Sequence, residues 1–243
     1  MDPATPYDRF AWFYDRYWGE HSLAFLPALD ELILAGLERG SSVLDVACGT
    51  GQLARALDER GFRVTGVDAS GEMLALARRN APGCRFLQAD VRSLGLAAAF
   101  QAALCVYDSL NHLGSLEELG AAFRGVGAAL LPGGAFAFDL NMDQGFAQRW
   151  PGSFGVEGVD HAGVFRGSYD RTSRIARLEA TLFRLERGSW RRDDLSFTEW
   201  CFTEDEVVRA MSEAGFRDVR ARDARDLGID DAGRSVFVGI RRS

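Results

Sequence analysis

Val43-Leu44-Asp45-Val46-Ala47-Cys48-Gly49-Thr50-Gly51-Gln52-Leu53-Ala54 reads as a hydrophobic strand that runs into a glycine loop and then into a helix. Glycines at such a turn let backbone approach a ligand closely. Gly49-Thr50-Gly51-Gln52-Leu53-Ala54 by itself also satisfies the G-x-G-x-x-G/A pattern of dinucleotide sites, so the glycines alone do not choose a cofactor. The residue that chooses is Asp45. A dinucleotide site seats pyrophosphate at the helix N-terminus, and a carboxylate at the end of the strand would repel it. A carboxylate there suits a ligand carrying an amine.

Working outward, short β-branched or aromatic runs alternate with helical patterns between Ser42 and Leu140, at Val43–Ala47, Phe62–Val67, Arg85–Gln88, Ala102–Tyr107 and Gly134–Leu140. They are mostly apolar, as strands covered on both faces must be. The fold class is therefore α/β, built of strand-helix units around a parallel sheet. Asp68 closes the second run and Asp90 follows the third, so three acids on consecutive strands gather at the carboxyl edge, where such sheets bind ligands. Two helix starts are legible as capping boxes, Ser115-Leu116-Glu117-Glu118 and Thr203-Glu204-Asp205-Glu206.

Beyond Asn141 the period changes to two. From Val164 to Phe202, Ala176, Leu178, Ala180 and Leu182 alternate with Arg177, Glu179 and Thr181, and turns at Asp170–Ser173 and Arg187–Ser189 divide the segment into three antiparallel strands. The helical pattern returns at Glu204, and Phe216–Asp223 and Ser235–Ile240 supply two closing strands. At the front, Tyr7 to Trp18 packs seven aromatic side chains into twelve residues, which calls for a helix docked by its aromatic face, with one or two rings closing over a ligand. The expected organisation is one domain over 1–243, with an N-terminal helical cap at 1–42, a core at 43–141 and 203–241, and an antiparallel insertion at 142–202.

The 243 residues carry 28 basic and 35 acidic side chains, a net charge of −7, so no basic face for a nucleic-acid backbone is expected and a small-molecule partner is favoured. Every basic residue is arginine, which excludes Schiff-base chemistry and a P-loop lysine. Cys48, Cys84, Cys105 and Cys201 stand far apart with no C-x-x-C pair, so neither a metal site nor a disulfide framework is expected. Reduced thiols, no secretion signal at the first residues and no run long enough to span a bilayer give a cytoplasmic expectation without a membrane partner.

Asp45-Val46-Ala47-Cys48-Gly49-Thr50-Gly51, Asp68, Gln88-Ala89-Asp90-Val91 and Leu131-Pro132-Gly133-Gly134 together resemble the class I S-adenosylmethionine-dependent methyltransferases, over Val43–Asn141 and Thr203–Arg241. The resemblance implies a Rossmann-like, mostly parallel seven-stranded sheet with an antiparallel last strand. It implies that the Asp45 loop holds the methionine end of the cofactor, Asp68 the ribose, and Asp90 with the Val91 amide the adenine. Ala47, Cys48, Gly49 and Gly51 in the loop, Ala69 and Met73 after the second strand and Tyr107 after the fourth belong to the same cofactor set. Ala47 stands where the family often has glycine. The aromatic N-terminus and the antiparallel insertion look like the small-molecule branch that includes amino-sugar N-methyltransferases, and that likeness sets Tyr14, then Trp18, over the cofactor.

Methyl transfer is an in-line displacement at a carbon already activated by the sulfonium, so positioning supplies much of the rate. An amine or hydroxyl acceptor must still lose a proton, which names His112, Asp108 and Asn141 as acceptor-side residues. Arg149 and Trp150 are further candidates for that pocket, whereas His21 and His161 lie in regions with no other chemical signal. Two other readings share features of the motif: an NAD-dependent oxidoreductase, which leaves Asp45, Asp90 and Leu-Pro-Gly-Gly unexplained, and a cofactor-binding protein that does not turn the cofactor over. Neither the acceptor nor the oligomeric state is written in these residues.

Overall fold

A computed structural model describes residues 5–242. Its main sheet has seven strands in the order β10-β11-β5-β4-β1-β2-β3, with β1 Ser42–Val46, β2 Arg63–Asp68, β3 Arg85–Gln88, β4 Phe100–Cys105, β5 Leu130–Asn141, β10 Phe216–Asp223 and β11 Arg234–Arg241. The first five run parallel, and β11 lies antiparallel between β5 and β10. The expected strands are thus present within a residue or two, apart from the early start of β5. Leu131-Pro132-Gly133-Gly134 is the bulge that this start creates. Leu130 pairs with Phe100 and Ala135 with Ala102, so four residues on β5 stand opposite the single Gln101 on β4, three in excess, with Gly133 at φ +79°.

Alternation along each strand feeds two cores. Val43, Val64 and Leu104 pack with α3 Gln52–Glu59 and α4 Gly71–Asn80 through Leu57 and Leu74. Leu44, Val46 and Phe138 pack on the other face with α5 Leu116–Ala129 and α7 Glu204–Glu213 through Phe123 and Val207. The Thr203 box is complete: its hydroxyl accepts from the Glu206 N–H and Glu206 accepts from the Thr203 N–H at 2.9 Å. At Ser115 only half of the expected box forms, because Glu118 accepts instead from the Gly114 N–H at 2.8 Å and from Arg92.

The insertion is a second sheet of four antiparallel strands, β6 Gly152–Gly158, β7 His161–Asp170, β8 Ile175–Glu186 and β9 Ser189–Trp200, in chain order. The fourth member is β6, ahead of the three strands expected. It is an edge strand, exposed along nearly its whole length and holding three glycines, so it carries no apolar alternation. Arg187 and Gly188, both with positive φ, make the tight turn between β8 and β9.

Helix α1, Pro6–Tyr17, starts on Pro6 with Asp8 accepting from the Thr5 N–H, and docks its aromatic face on this second sheet. Phe10 and Phe13 are fully buried against Phe165, Leu182, Leu195 and Phe197. Burying each ring contributes about 1.5–3 kcal/mol, enough to hold the segment down. Asp15 ties the same helix to α3 and α4 on the main sheet by accepting from Gln52 Nε2 at 3.0 Å and Asn80 Nδ2 at 2.7 Å. Helix α2, Leu26–Leu32, and α6, Asp143–Arg149, complete the chain; among the described residues no helix is long and apolar enough to cross a membrane.

Candidate functional site

One cavity of about 820 Å³ opens where the carboxyl edge of the main sheet meets α1 and the second sheet. One end is made by the loops after β1, β2 and β3. Gly49 sits there at φ +52°, and a Cβ on it would meet the Tyr14 ring at 3.3 Å, so the missing side chain is what leaves room between loop and ring. Asp68, the last residue of β2, accepts from the Gly49 N–H and the Ser70 N–H, each at 2.9 Å. These bonds stabilise its carboxylate against a burial that still pushes its pKa above the ordinary range. Asp90 caps the short 3₁₀ turn Val91–Ser93 and pairs with Arg92, whose hydrogen bonds hold the Asp90 carboxyl below its usual value.

Asp45 lies one residue inside β1, between Gly66 on β2 and Leu104 on β4, and so it sits beneath the loop instead of on the cavity wall. Its Oδ2 has no partner, and burial, followed by repulsion from Asp68, pushes its pKa to about 8. Cys48 and Gly51 are also set back from the cavity: Cys48 is buried in the core and Gly51, at φ +86°, abuts the backbone of Ala77 in α4. Ala47, Gly49, Asp68, Ala69, Met73, Asp90, Val91, Tyr107, Tyr14 and Trp18 all line the cavity.

The other end is held by side chains from distant segments. Tyr107 and Asp108, after β4, both have positive φ, a costly arrangement for residues with a Cβ. Asp139 on β5 stabilises the turn, its carboxylate accepting from the Tyr107 N–H at 2.6 Å and the Asp108 N–H at 3.0 Å. Burial pushes Asp139 up to about 6, opposed by Arg234, which pairs with Asp139, with Asp231 and with Asp108. Asn141 donates to Asp108 and accepts from Arg149 at 2.5 Å. His112 Nδ1 lies 3.0 Å from the Thr198 carbonyl, so it carries the proton, and Nε2 accepts from the Tyr7 hydroxyl at 2.7 Å. Burial lowers the pKa of His112 and favours the neutral ring. His112, Asp108 and Asn141 thus share one wall with Arg149 and Trp150.

A family model described as a methyltransferase domain matches residues 43–134. The dTDP-3-amino-3,4,6-trideoxy-alpha-D-glucopyranose N,N-dimethyltransferase of Streptomyces venezuelae is 29% identical, covering 99% of this chain and 98% of the relative. The dTDP-3-amino-3,6-dideoxy-alpha-D-glucopyranose N,N-dimethyltransferase of Streptomyces fradiae is 29% identical over 83% of this chain and 78% of its own. CalS10, an amino pentose methyltransferase of Micromonospora echinaspora solved with S-adenosylmethionine bound, superposes with a TM-score of 0.72 at 26% identity over 95% of each chain. This chain thus carries a methyltransferase domain at residues 43–134 and is similar over nearly its whole length to S-adenosylmethionine-dependent methyltransferases. This methyltransferase has the seven-stranded sheet and antiparallel end expected from the motif, together with the second sheet that the sequence pattern placed after β5.

Several cavity residues of the methyltransferase escaped the sequence reading. Tyr7 was seen only as one aromatic among seven, and His21, set aside for want of a chemical signal, places Nδ1 2.9 Å from the Tyr107 hydroxyl on the cavity wall. His161 does lie elsewhere, between Tyr17 and Asp160. Glu199 had a signal: it follows Leu195 and Phe197 on the inward face of β9, a carboxylate where the alternation asks for an apolar residue. Arg234, buried at the start of β11, had none beyond an arginine leading an apolar strand.

Proposed function

We propose that this methyltransferase transfers methyl groups from S-adenosylmethionine to the amino nitrogen of a small acceptor of the amino-sugar kind. The observation that carries the reading is the joining of two chemically different ends in one cavity, Gly49, Asp68 and Asp90 at one and His112, Asn141 and Glu199 at the other. The relatives that match nearly the whole chain support the acceptor class, because they carry that class in their names.

The residues at the first end fit the cofactor. Asp68 retains acceptor capacity for two ribose hydroxyls beyond its two amide bonds, the glycine at position 49 leaves space under Tyr14, and the Asp45 carboxyl beneath the loop has an oxygen free of partners. When bound, the cofactor supplies a methyl group on a positively charged sulfur. In this reading Tyr14 and Trp18 cover it, Asp90 and Val91 take the adenine, and Ala47, Ala69, Met73 and Tyr107 complete the surround. At the other end His112, Asp108 and Asn141 position the acceptor, with His112 neutral at physiological pH through burial. The net charge and the four free cysteines support a cytoplasmic enzyme with no nucleic-acid partner.

The test is incubation with S-adenosylmethionine and a dTDP-linked 3-amino-3,6-dideoxyglucose, followed by fragmentation mass spectrometry. The expected products carry one and then two methyl groups on nitrogen. Methylation on a sugar oxygen, or no transfer to any amino sugar of a panel varied at the amine position, would overturn the reading.

A further inference from the structure

Glu199 is 5% exposed, lies on the cavity wall, and its Oε2 has no hydrogen-bond partner. A buried carboxylate costs several kcal/mol unless a cation or donors meet it, so an incompletely partnered carboxylate on the wall of a ligand cavity asks for a partner from outside the chain. The guanidiniums and the imidazole nearby are committed elsewhere. Arg234 pairs with Asp108, Asp139 and Asp231, and Arg149 with Asp231 and Asn141. His112 Nε2 stands 3.7 Å from Glu199 Oε1 but receives the Tyr7 hydroxyl, and its Nδ1 proton goes to Thr198.

The charge balance points the same way. Asp108, Asp139, Asp231 and Glu199 set four carboxyl groups against the two guanidiniums of Arg149 and Arg234. Such an excess of acid draws a cation and gives a neutral hydroxyl nothing comparable.

We infer that Glu199 is the residue that receives the acceptor's ammonium: its carboxylate binds the protonated amine, takes one of its protons and leaves the nitrogen lone pair free for methylation. This rests on the amine-acceptor reading of the site. In the step one N–H bond breaks and one O–H bond forms, the bonding pair stays on nitrogen, and the proton passes to bulk water when the product leaves. Burial makes the protonated carboxyl accessible, reinforced by Asp108 and Asp139, while Arg234 and the Asn141 amide favour the ionised form that binds the ammonium. Tyr7 from α1 and His112 after β4 complete the groups facing it. The protein thus prefers nitrogen to oxygen before any chemistry occurs.

The experiment compares wild type with Glu199→Gln, which keeps the shape and removes the charge, and with Glu199→Asp, which keeps the charge. Each is saturated with S-adenosylhomocysteine and titrated calorimetrically with dTDP-3-amino-3,6-dideoxyglucose and with dTDP-6-deoxyglucose, its hydroxyl counterpart. Wild type should bind the amine at least about tenfold tighter than the hydroxyl, the advantage expected of one charge-assisted hydrogen bond. Glu199→Gln should lose that preference with S-adenosylhomocysteine affinity within about twofold of wild type, the margin of an undisturbed fold, and Glu199→Asp should retain part of it. The acid limb of the pH profile of kcat/KM should change in the Gln variant. An unchanged amine preference in Glu199→Gln, equal loss in both variants, or loss of S-adenosylhomocysteine binding would overturn the inference. A wild type that methylates the sugar on nitrogen without preferring the amine in binding overturns it too and leaves the function standing. A wild type that neither binds nor methylates the amine removes the function, and the inference with it.

Discussion

The two ends of the cavity stabilise their carboxylates by different means. Asp68 is held by backbone N–H groups of residues 49 and 70, supplied by the loops on either side of one strand-helix unit. Asp139 and Asp108 are held by Arg234, nearly a hundred residues along the chain from the first of them, and the turn that Asp139 clamps has two residues in the left-handed region. Backbone amides are in place as soon as the strand and loop form. A guanidinium shared among three aspartates is in place only when β11 has inserted between β5 and β10. The proposed cofactor end is therefore a property of local structure and the proposed acceptor end a property of the completed sheet.

If that difference is real, removing Arg234 should be the most damaging single change. Arg234→Met leaves the buried Asp139 and its half-buried neighbour Asp108 without their cation, and stranding a buried charge in this way costs about 3–5 kcal/mol. Urea denaturation should show this loss near neutral pH. The deficit should narrow as the pH falls from neutral towards about 6, because Asp139 titrates near 6 only beside Arg234 and takes up its proton at higher pH once that cation is gone. A loss under about 1 kcal/mol would mean that the acceptor end does not depend on the ion cluster.

Asp68→Ala should break the other end and spare the first. Each hydrogen bond to a charged acceptor contributes about 1.5–3 kcal/mol, so cofactor affinity should fall by roughly ten- to a hundredfold in calorimetric titration. Folding should survive at some cost in stability, because the Gly49 N–H borders the cavity and can turn to water, whereas the Ser70 N–H is left buried without its acceptor. Unchanged affinity would remove Asp68 from the cofactor end.

The same contrast explains what could be read without coordinates. Asp45, Asp68 and Asp90 were legible because each follows or closes a short apolar run within one stretch of chain, and the strand positions came from the same periodicity. Asp45 reads as the end of its strand, whereas Val46 ends β1 and Asp45 lies buried one residue inside it. β6 was missed because an exposed, glycine-rich edge strand has no buried face to write a pattern. Glu199 broke the alternation of β9 visibly, yet only the fold shows that this face closes a cavity with residues 7, 112 and 141. Arg234 could not be assigned, since an ion cluster spanning β4, β5 and β11 leaves no spacing in the sequence.

Asp45 sharpens the comparison because it lies beneath the loop of the proposed cofactor end and yet lacks the backbone support that Asp68 has there. Burial first, and Asp68 second, push its pKa to about 8, so the unliganded protein holds it protonated at neutral pH. The unfolded chain ionises near the ordinary value of about 4. A folded pKa above the unfolded one means that the native state binds the extra proton: the stability it contributes is complete below the unfolded value, declines as the pH rises, and is gone once the pH has passed about 8. Asp45→Asn keeps the shape without the titration. Between about pH 7 and pH 8 the unliganded wild type should lose roughly 1 kcal/mol relative to this variant, read from urea melts at each pH. Parallel curves would show that Asp45 is ionised throughout and is held as Asp68 is, which would make the cofactor end uniform. A divergence that vanishes when S-adenosylhomocysteine is added would instead show the ligand's amine stabilising the carboxylate that the chain leaves unpartnered.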